Sequence, residues 1–331
     1  MTFLEFFVGL GLVFWCVGVF YSPWSVTGKL LAFGLGLLVS SLNIYLSDHI
    51  LISILTYELV LVGFYLLKGS IARNQLNLQI FLSVIIWLGA LFLVGRFGTQ
   101  AFQVLRSDHE GMALLAVVIL ASKAGFIVPF GWWENKISSD NTFVSGLGLC
   151  FVTSVVCSTI YNLLLNVSDS DMSLLGSLLL VSSCGFVGSS LVHSGVICVI
   201  DDWYRFNGAA LLFIQVHMAQ AELNTLFYMG FCLYLVTFLA LLSNLEKISR
   251  NRLKSPQFLD FASPRVLSEF GTNAKNICNI LFFWGLSVSG VFLFLCLYGE
   301  KFQVQSYAMV FFSSILPALF YIRVKAGRPF V

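Results

Sequence analysis

The stretch "VVILASKAGFIVPFGWW", residues 117–133, decides how this chain is read. It belongs to an apolar run of helix-forming length, and a lysine, Lys123, stands inside it. A charge at the centre of a membrane helix costs about 2.5–3.5 kcal/mol on insertion scales, and such residues are kept where they face a bundle interior and meet a partner. The surrounding composition points the same way. Of 331 residues, 58% are hydrophobic and only 10% charged, with a mean hydropathy of +0.91. A soluble domain carries about 25% charged residues. The chain therefore reads as an all-α polytopic membrane protein.

Apolar runs of spanning length lie near 3–21, 28–46, 50–67, 76–95, 111–130, 143–166, 172–192, 223–243, 278–298 and 304–322. An eleventh segment, 206–221, "FNGAALLFIQVHMAQA", is short and polar on one face, with Asn207, Gln215, His217 and Gln220. Loop charge argues that it spans. With eleven spans and the N-terminus outside, the inside loops hold Lys29, Lys68, Arg73, Lys136, Arg205, Lys247, Arg250, Arg252, Lys254, Arg265 and Lys275, and the inside tail adds Arg323, Lys325 and Arg328. The outside loops hold only Arg96 and Arg106. Positive charge marks the inside face, and omitting 206–221 would place the basic segment 244–277 outside.

Residues 1–331 thus read as a single transmembrane domain. Segment 244–277, "NLEKISRNRLKSPQFLDFASPRVLSEFGTNAKNI", is its basic inside connector, either plain or carrying an amphipathic surface helix. The first apolar run lacks a basic leader and reads as an ordinary span. A net charge of +2 gives no argument for nucleic acid. The eight cysteines show no CxxC spacing and read as small buried packing residues. Thirty-three Phe and 27 Gly hint at the nucleotide bias of an organellar genome. No dinucleotide fingerprint, phosphate loop or metal-ligand cluster is present, and the histidines at 49, 109, 193 and 217 lack a paired haem spacing. No cofactor and no metal are expected on this chain.

Two ionisable residues lie well inside spans, Glu58 and Lys123, and their signs are opposite. Burial disfavours both charged forms, and an opposite charge within about 4–6 Å restores them. A pair so balanced responds to any nearby charge, as a proton relay requires. A static pair that holds helix register is the other reading. Pro129 cannot donate to the carbonyl of Gly125, so the helix is expected to break there. Breaks at membrane depth occur beside protein or water and form ion sites in transporters, although an ordinary kink or helix end has the same signature. His217 is either a satisfied structural donor or a group titrating near neutral pH. Lys301, beside Glu300, reads alone as an interface residue. Asp169–Asp171 and Asp201–Asp202 are expected in loops as solvated acids.

These residues resemble a family. "TYELVLVGFYLL" is similar to the early helix with a central glutamate in subunit 2 of NADH:ubiquinone oxidoreductase (respiratory complex I), one of its antiporter-like membrane subunits; the glutamate falls on Glu58. "SKAGFIVPFGWW" resembles the family's lysine-glycine-x-x-proline-phenylalanine-histidine-x-tryptophan motif through Lys123, Gly125, Pro129, Phe130 and Trp132, with one extra residue before the proline and Gly131 in place of the histidine. "FIQVHMAQ" matches a serine-serine-x-x-histidine-methionine-glycine helix at His217 and Met218 only. "GLSVSGVFLFLCLYGEKF" matches a later lysine helix at Ser287, Gly290 and Lys301, without its prolines. The ordered resemblance covers about residues 40 to 328.

The resemblance implies an antiporter-like bundle with broken helices, shortened from fourteen spans to eleven. It implies a proton relay of Glu58, Lys123, His217 and Lys301 in a mitochondrial inner membrane, with the N-terminus on the intermembrane-space side and the C-terminus in the matrix. Partners would be other membrane-arm subunits and phospholipids, while FMN, iron–sulfur clusters and ubiquinone would be held elsewhere in the complex. The family usually has a second lysine in the next helix, within 143–166; Ser154 stands near that place here, so onward transfer would use water with Thr153, Ser154 and Ser158. Two other classes stay open: a free-standing cation/proton antiporter, and a structural subunit whose buried pair only fixes packing.

Overall fold

A computed structural model of the chain describes residues 3–46, 49–68, 73–97, 110–128, 142–164, 167–193, 196–221, 224–250, 271–298 and 303–326. Among these residues the chain is all α-helix and contains eleven helices. They are α1 Phe3–Tyr21, α2 Val26–Tyr45, α3 Ile50–Lys68, α4 Arg73–Phe97, α5 Glu110–Ala124, α6 Thr142–Leu164, α7 Asp169–Val192, α8 Val196–Ala221, α9 Asn224–Arg250, α10 Gly271–Tyr298 and α11 Gln303–Ala326. Each apolar run corresponds to one helix. By length and composition, α2, α3, α6 and α7 are each apolar enough to cross a bilayer. Residues 251–270 of the 244–277 connector lie outside the described residues, while α9 runs into it as far as Arg250 and α10 leaves it from Gly271.

The chain divides into two compact units, Met1–Glu134 with Leu147–Leu175, and Asn135–Gly146 with Gly176–Val331. In the first, α1 to α5 pack in chain order. Trp15 of α1 organises the start of this unit. Its indole N–H donates to the Ala32 carbonyl of α2 at 2.8 Å, so a buried polar group is satisfied across the helix pair. Glycines on α2 and α3 give the ring its space: a Cβ at Gly36 would lie 2.4 Å from Trp15 Cδ1, and one at Gly63 2.8 Å from Cη2. Small residues at such crossings let membrane helices approach closely. The turn between α1 and α2 is held by Lys29, which donates to the Phe20 carbonyl at 2.7 Å, and by Ser25, whose hydroxyl accepts from the Gly28 amide at 3.3 Å.

In the second unit, hydroxyls and amides take over the work that apolar contact cannot do in lipid. Ser289 of α10 meets Ser313 and Ser314 of α11 at 3.0 and 2.8 Å. Gln305 of α11 donates to Ser177 of α7 at 2.8 Å. Trp203, Phe206 and Trp284 form an edge-to-face cluster between α8 and α10, with the two tryptophan rings 4.6 Å apart.

The helices correct two expectations. Asp201 and Asp202 are not loop acids: they lie in the second turn of α8, a helix ten residues longer at its start than the apolar run 206–221, and both are about 1% exposed. Arg205 makes this possible. Its guanidinium donates to Asp201 at 2.5 Å and to Asp202 at 2.8 Å, using the i+4 and i+3 neighbours on the same helix face. A guanidinium paired with both carboxylates lets the helix begin ahead of the apolar run that hydropathy alone would mark. Asp169–Asp171 are not in a loop either. They fall in the first turn of α7, where the Ser168 hydroxyl accepts from the Asp171 amide at 3.3 Å and the Asp171 carboxylate suits the positive end of the helix dipole.

Because Trp15 is tied at its indole nitrogen, it cannot easily move away from a new methyl group. Gly36→Ala is expected to destabilise the protein by about 1–3 kcal/mol through overpacking. A lowered Tm of the detergent-purified chain checks this, and an unchanged Tm would show that Trp15 shifts freely.

Candidate functional site

The site is assembled from α3, α4 and α5 of the first unit. α3 brings Glu58, α5 brings Lys123, and α4 crosses between them with Gln79 and Ser83, one turn apart on a single face. Lys123 is fully buried, whereas the Glu58 side chain is 18% exposed. The Lys123 ammonium donates directly to Glu58 Oε1. It also donates to the Ser83 hydroxyl at 2.6 Å, whose single hydrogen has two acceptors in reach, Glu58 Oε2 at 3.1 Å and the Gln79 carbonyl at 2.9 Å. The pair is therefore joined twice, once directly and once through a hydroxyl. A buried ammonium needs this, since three N–H donors and a full charge leave water together.

Three further contacts fix the ammonium in place. The Tyr57 hydroxyl donates to the Leu120 carbonyl at 2.7 Å, which ties α3 to α5, and the Tyr57 ring centroid lies 5.7 Å from Lys123 Nζ, within cation–π range. Gln79 donates to the Lys123 carbonyl at 3.2 Å. That carbonyl belongs to the last turn of α5, where carbonyls have lost their helical partners, so the amide of Gln79 satisfies an orphan acceptor.

α5 ends one residue after Lys123, at Ala124, six residues short of the apolar run's end at 130. Gly125 is the cause. Its φ is 86°, a left-handed conformation that side-chain-bearing residues seldom adopt. The Gly125 amide donates to the Ser122 carbonyl at 3.0 Å and the Phe126 amide to the Ala121 carbonyl at 2.9 Å, the two bonds of a Schellman cap. The helix is thus already closed before Pro129 is reached, and Pro129 lies outside the described residues. A charged lysine at the carbonyl end of a helix is favoured by the dipole.

The structure places the remaining sequence-derived residues as follows. Thr153 and Ser154 are fully buried on α6 and donate to the carbonyls of Leu149 and Cys150 of their own helix, each at 2.8 Å. Ser158 donates to the Asn43 side chain of α2 at 2.6 Å. His217 belongs to the last turns of α8, and its side chain lies outside the described residues, as does Lys301. Ser154 has a specific neighbour: a Cβ on Gly11 of α1 would lie 2.6 Å from its hydroxyl oxygen. The α1 backbone thus runs against position 154 and occupies space that a long side chain would need.

Sequence reasoning passed over Ser83, Gln79 and Tyr57. Tyr57 precedes Glu58, but nothing local marks Ser83 or Gln79; their roles come from the crossing of α4 over the pair.

Comparison with known proteins finds the fold elsewhere. No family model matches the sequence, and no curated protein matches it. By structure, the chain is similar to a chain of the Mrp complex from Dietzia sp. DQ12-45-1b, with a TM-score of 0.66 and 16% identity, over 98% of this chain and 65% of that one. It is also similar to a chain of respiratory complex I from Thermus thermophilus with bound aureothin, with a TM-score of 0.65 and 16% identity, over 99% of this chain and 76% of that one. The chain therefore spans just under two thirds of the length of the Dietzia chain. It shares its fold with chains of these two complexes, and its long apolar helices are those of a multi-pass membrane protein.

The Schellman cap makes a graded prediction. Gly125→Ala is expected to cost about 1–2 kcal/mol, because an alanine at positive φ is strained, and Gly125→Asn less. The Tm of the two variants should fall in that order. Equal Tm values for the wild type and Gly125→Ala would mean that α5 does not depend on this left-handed residue.

Proposed function

We propose that the chain is an antiporter-like membrane-arm subunit of an NADH:ubiquinone oxidoreductase, in a mitochondrial inner membrane, and that it contributes to proton translocation driven by electron transfer elsewhere in the complex. The observation that carries this reading is the burial of Lys123 against Glu58 and Ser83 at the capped end of α5, within a fold of this class. The chain performs no redox step itself. FMN, iron–sulfur clusters and ubiquinone belong to other subunits, and the neighbours of this chain are membrane-arm subunits and phospholipids.

The mechanism follows from charge. While Glu58 is ionised and in contact, the ammonium of Lys123 is compensated. One unit charge at about 4 Å is worth about 4 kcal/mol at an effective dielectric of 20. If a change in a neighbouring subunit protonates Glu58 or draws it away, Lys123 is left as an uncompensated buried cation and gives up its proton. Ser83 is placed to carry part of this switch. Its hydroxyl accepts from Lys123 and can donate to Glu58, so it moves with whichever partner keeps the charge. The proton would continue through water along α6, with Thr153, Ser154 and Ser158 in place of the family's second lysine; His217 and Lys301 are the later relay residues that the resemblance implies.

Glu58→Gln in the assembled complex, reconstituted in liposomes, is expected to lower the proton-to-electron ratio. Ser83→Ala, which keeps the charges and removes the bridging hydroxyl, is expected to lower it less. An unchanged ratio in both variants would assign the pair a purely structural role.

A further inference from the structure

The turn between α7 and α8 carries a second charge network that shares no residue with the Glu58–Lys123 pair. His193 follows the last residue of α7 and its side chain is 44% exposed. Its Nδ1 lies 2.8 Å from Asp202 Oδ2, and Asp202 is completely buried. The Ser189 hydroxyl donates to the same carboxylate oxygen at 2.9 Å and lies 3.3 Å from His193 Nδ1. The other oxygen of Asp202 accepts from Arg205 at 2.8 Å, and the second guanidinium nitrogen of Arg205 donates to Asp201 at 2.5 Å. Arg205 stands nine residues into α8, about 14 Å along the axis at the standard helical rise. A continuous chain of hydrogen-bonded charges therefore runs from a water-accessible imidazole to a buried carboxylate pair.

We propose that His193, held by Asp202, is a proton-binding site that takes protons from water at the α7–α8 turn and stores them on the imidazole against the buried Asp202–Arg205–Asp201 network. The positive-inside reading of the loop charges puts this turn on the inside face. The proton binds at the imidazole, and the hydrogen bond to Asp202 Oδ2 is made by an N–H on Nδ1. Burial leaves the Asp202 carboxylate without solvent; Arg205 answers one oxygen, the Ser189 hydroxyl and the imidazole the other, and a protonated imidazole offsets the negative charge that one arginine leaves over on two carboxylates. The groups acting on His193 are Asp202, Arg205 and Asp201 of α8 and Ser189 of α7. The hydrogen bond to Asp202 comes first and raises the histidine above its ordinary value of 6.5; partial burial and the positive charge of Arg205 oppose it. A static cap on the turn would need the same contacts but no titration in a useful range.

The test needs no turnover, so its outcome is separate from that of the pumping experiment. The full chain is prepared in lipid nanodiscs with 15N-labelled histidine, and the imidazole signal that disappears in His193→Gln is assigned to His193. That signal is expected to titrate above pH 6.5. Glutamine keeps a hydrogen-bond donor but cannot carry the charge. Because the folded-state value is raised, the stabilisation from protonated His193 is fully present below about pH 6.5 and is lost as pH rises through the folded value. The Tm difference between wild type and His193→Gln is therefore expected to be largest at acidic pH and to shrink as the histidine deprotonates. A His193 signal that titrates at or below 6.5, or a Tm difference that does not vary with pH, overturns the proposal.

Discussion

The contact between the ammonium of Lys123 and the carboxylate of Glu58 constrains everything around it. Neither charge survives alone at that depth, so the three helices that carry them and their supports must converge. α3 supplies Glu58 and the Tyr57 ring, α4 supplies Ser83 and Gln79, and α5 supplies the lysine and then stops. The stop matters as much as the pair. With α5 closed by Gly125, Lys123 stands in the final turn of a helix rather than in its middle, its charge faces the favourable end of the dipole, and its own carbonyl is free to be taken by Gln79.

The same rule, that a buried charge must be answered locally, recurs in the second unit by different means. There the answer comes mostly from one helix. Asp201, Asp202 and Arg205 sit at i, i+1 and i+4 within two turns of α8, where the one guanidinium pairs with both carboxylates and offsets one of their two charges, with His193 reaching in from the end of α7. A pair drawn from separate helices depends on how those helices are positioned and can be broken by moving one of them. A cluster on one helix moves as a body.

A small residue at position 154 has a physical reason. The position lies against the α1 backbone at Gly11, and its hydroxyl is bonded to its own helix. Glycine on one helix and serine on the other let the two backbones come close, and a lysine there would hold them apart. Packing of α1 on α6 and a charged relay at position 154 are therefore alternatives, and this chain has the packing.

Hydropathy and loop charge determined the all-helical membrane architecture, because burying a backbone in lipid leaves few options and each span needs a set length. The opposite signs of Glu58 and Lys123 were also legible, since two isolated charges in an apolar chain have to find each other. What the linear pattern hid was of two kinds. Asp201 and Asp202 looked like loop residues because a hydropathy window sums charges and is blind to their pairing with Arg205 at helical spacing. Ser83, Gln79 and Tyr57 could come only from the tertiary structure, because a hydroxyl or an amide is unremarkable in sequence and takes its role from the helix that happens to cross above it. The end of α5 falls between these cases: Gly125 was visible as part of the break, but that its left-handed turn closes the helix ahead of Pro129 depended on the backbone bonds to Ala121 and Ser122.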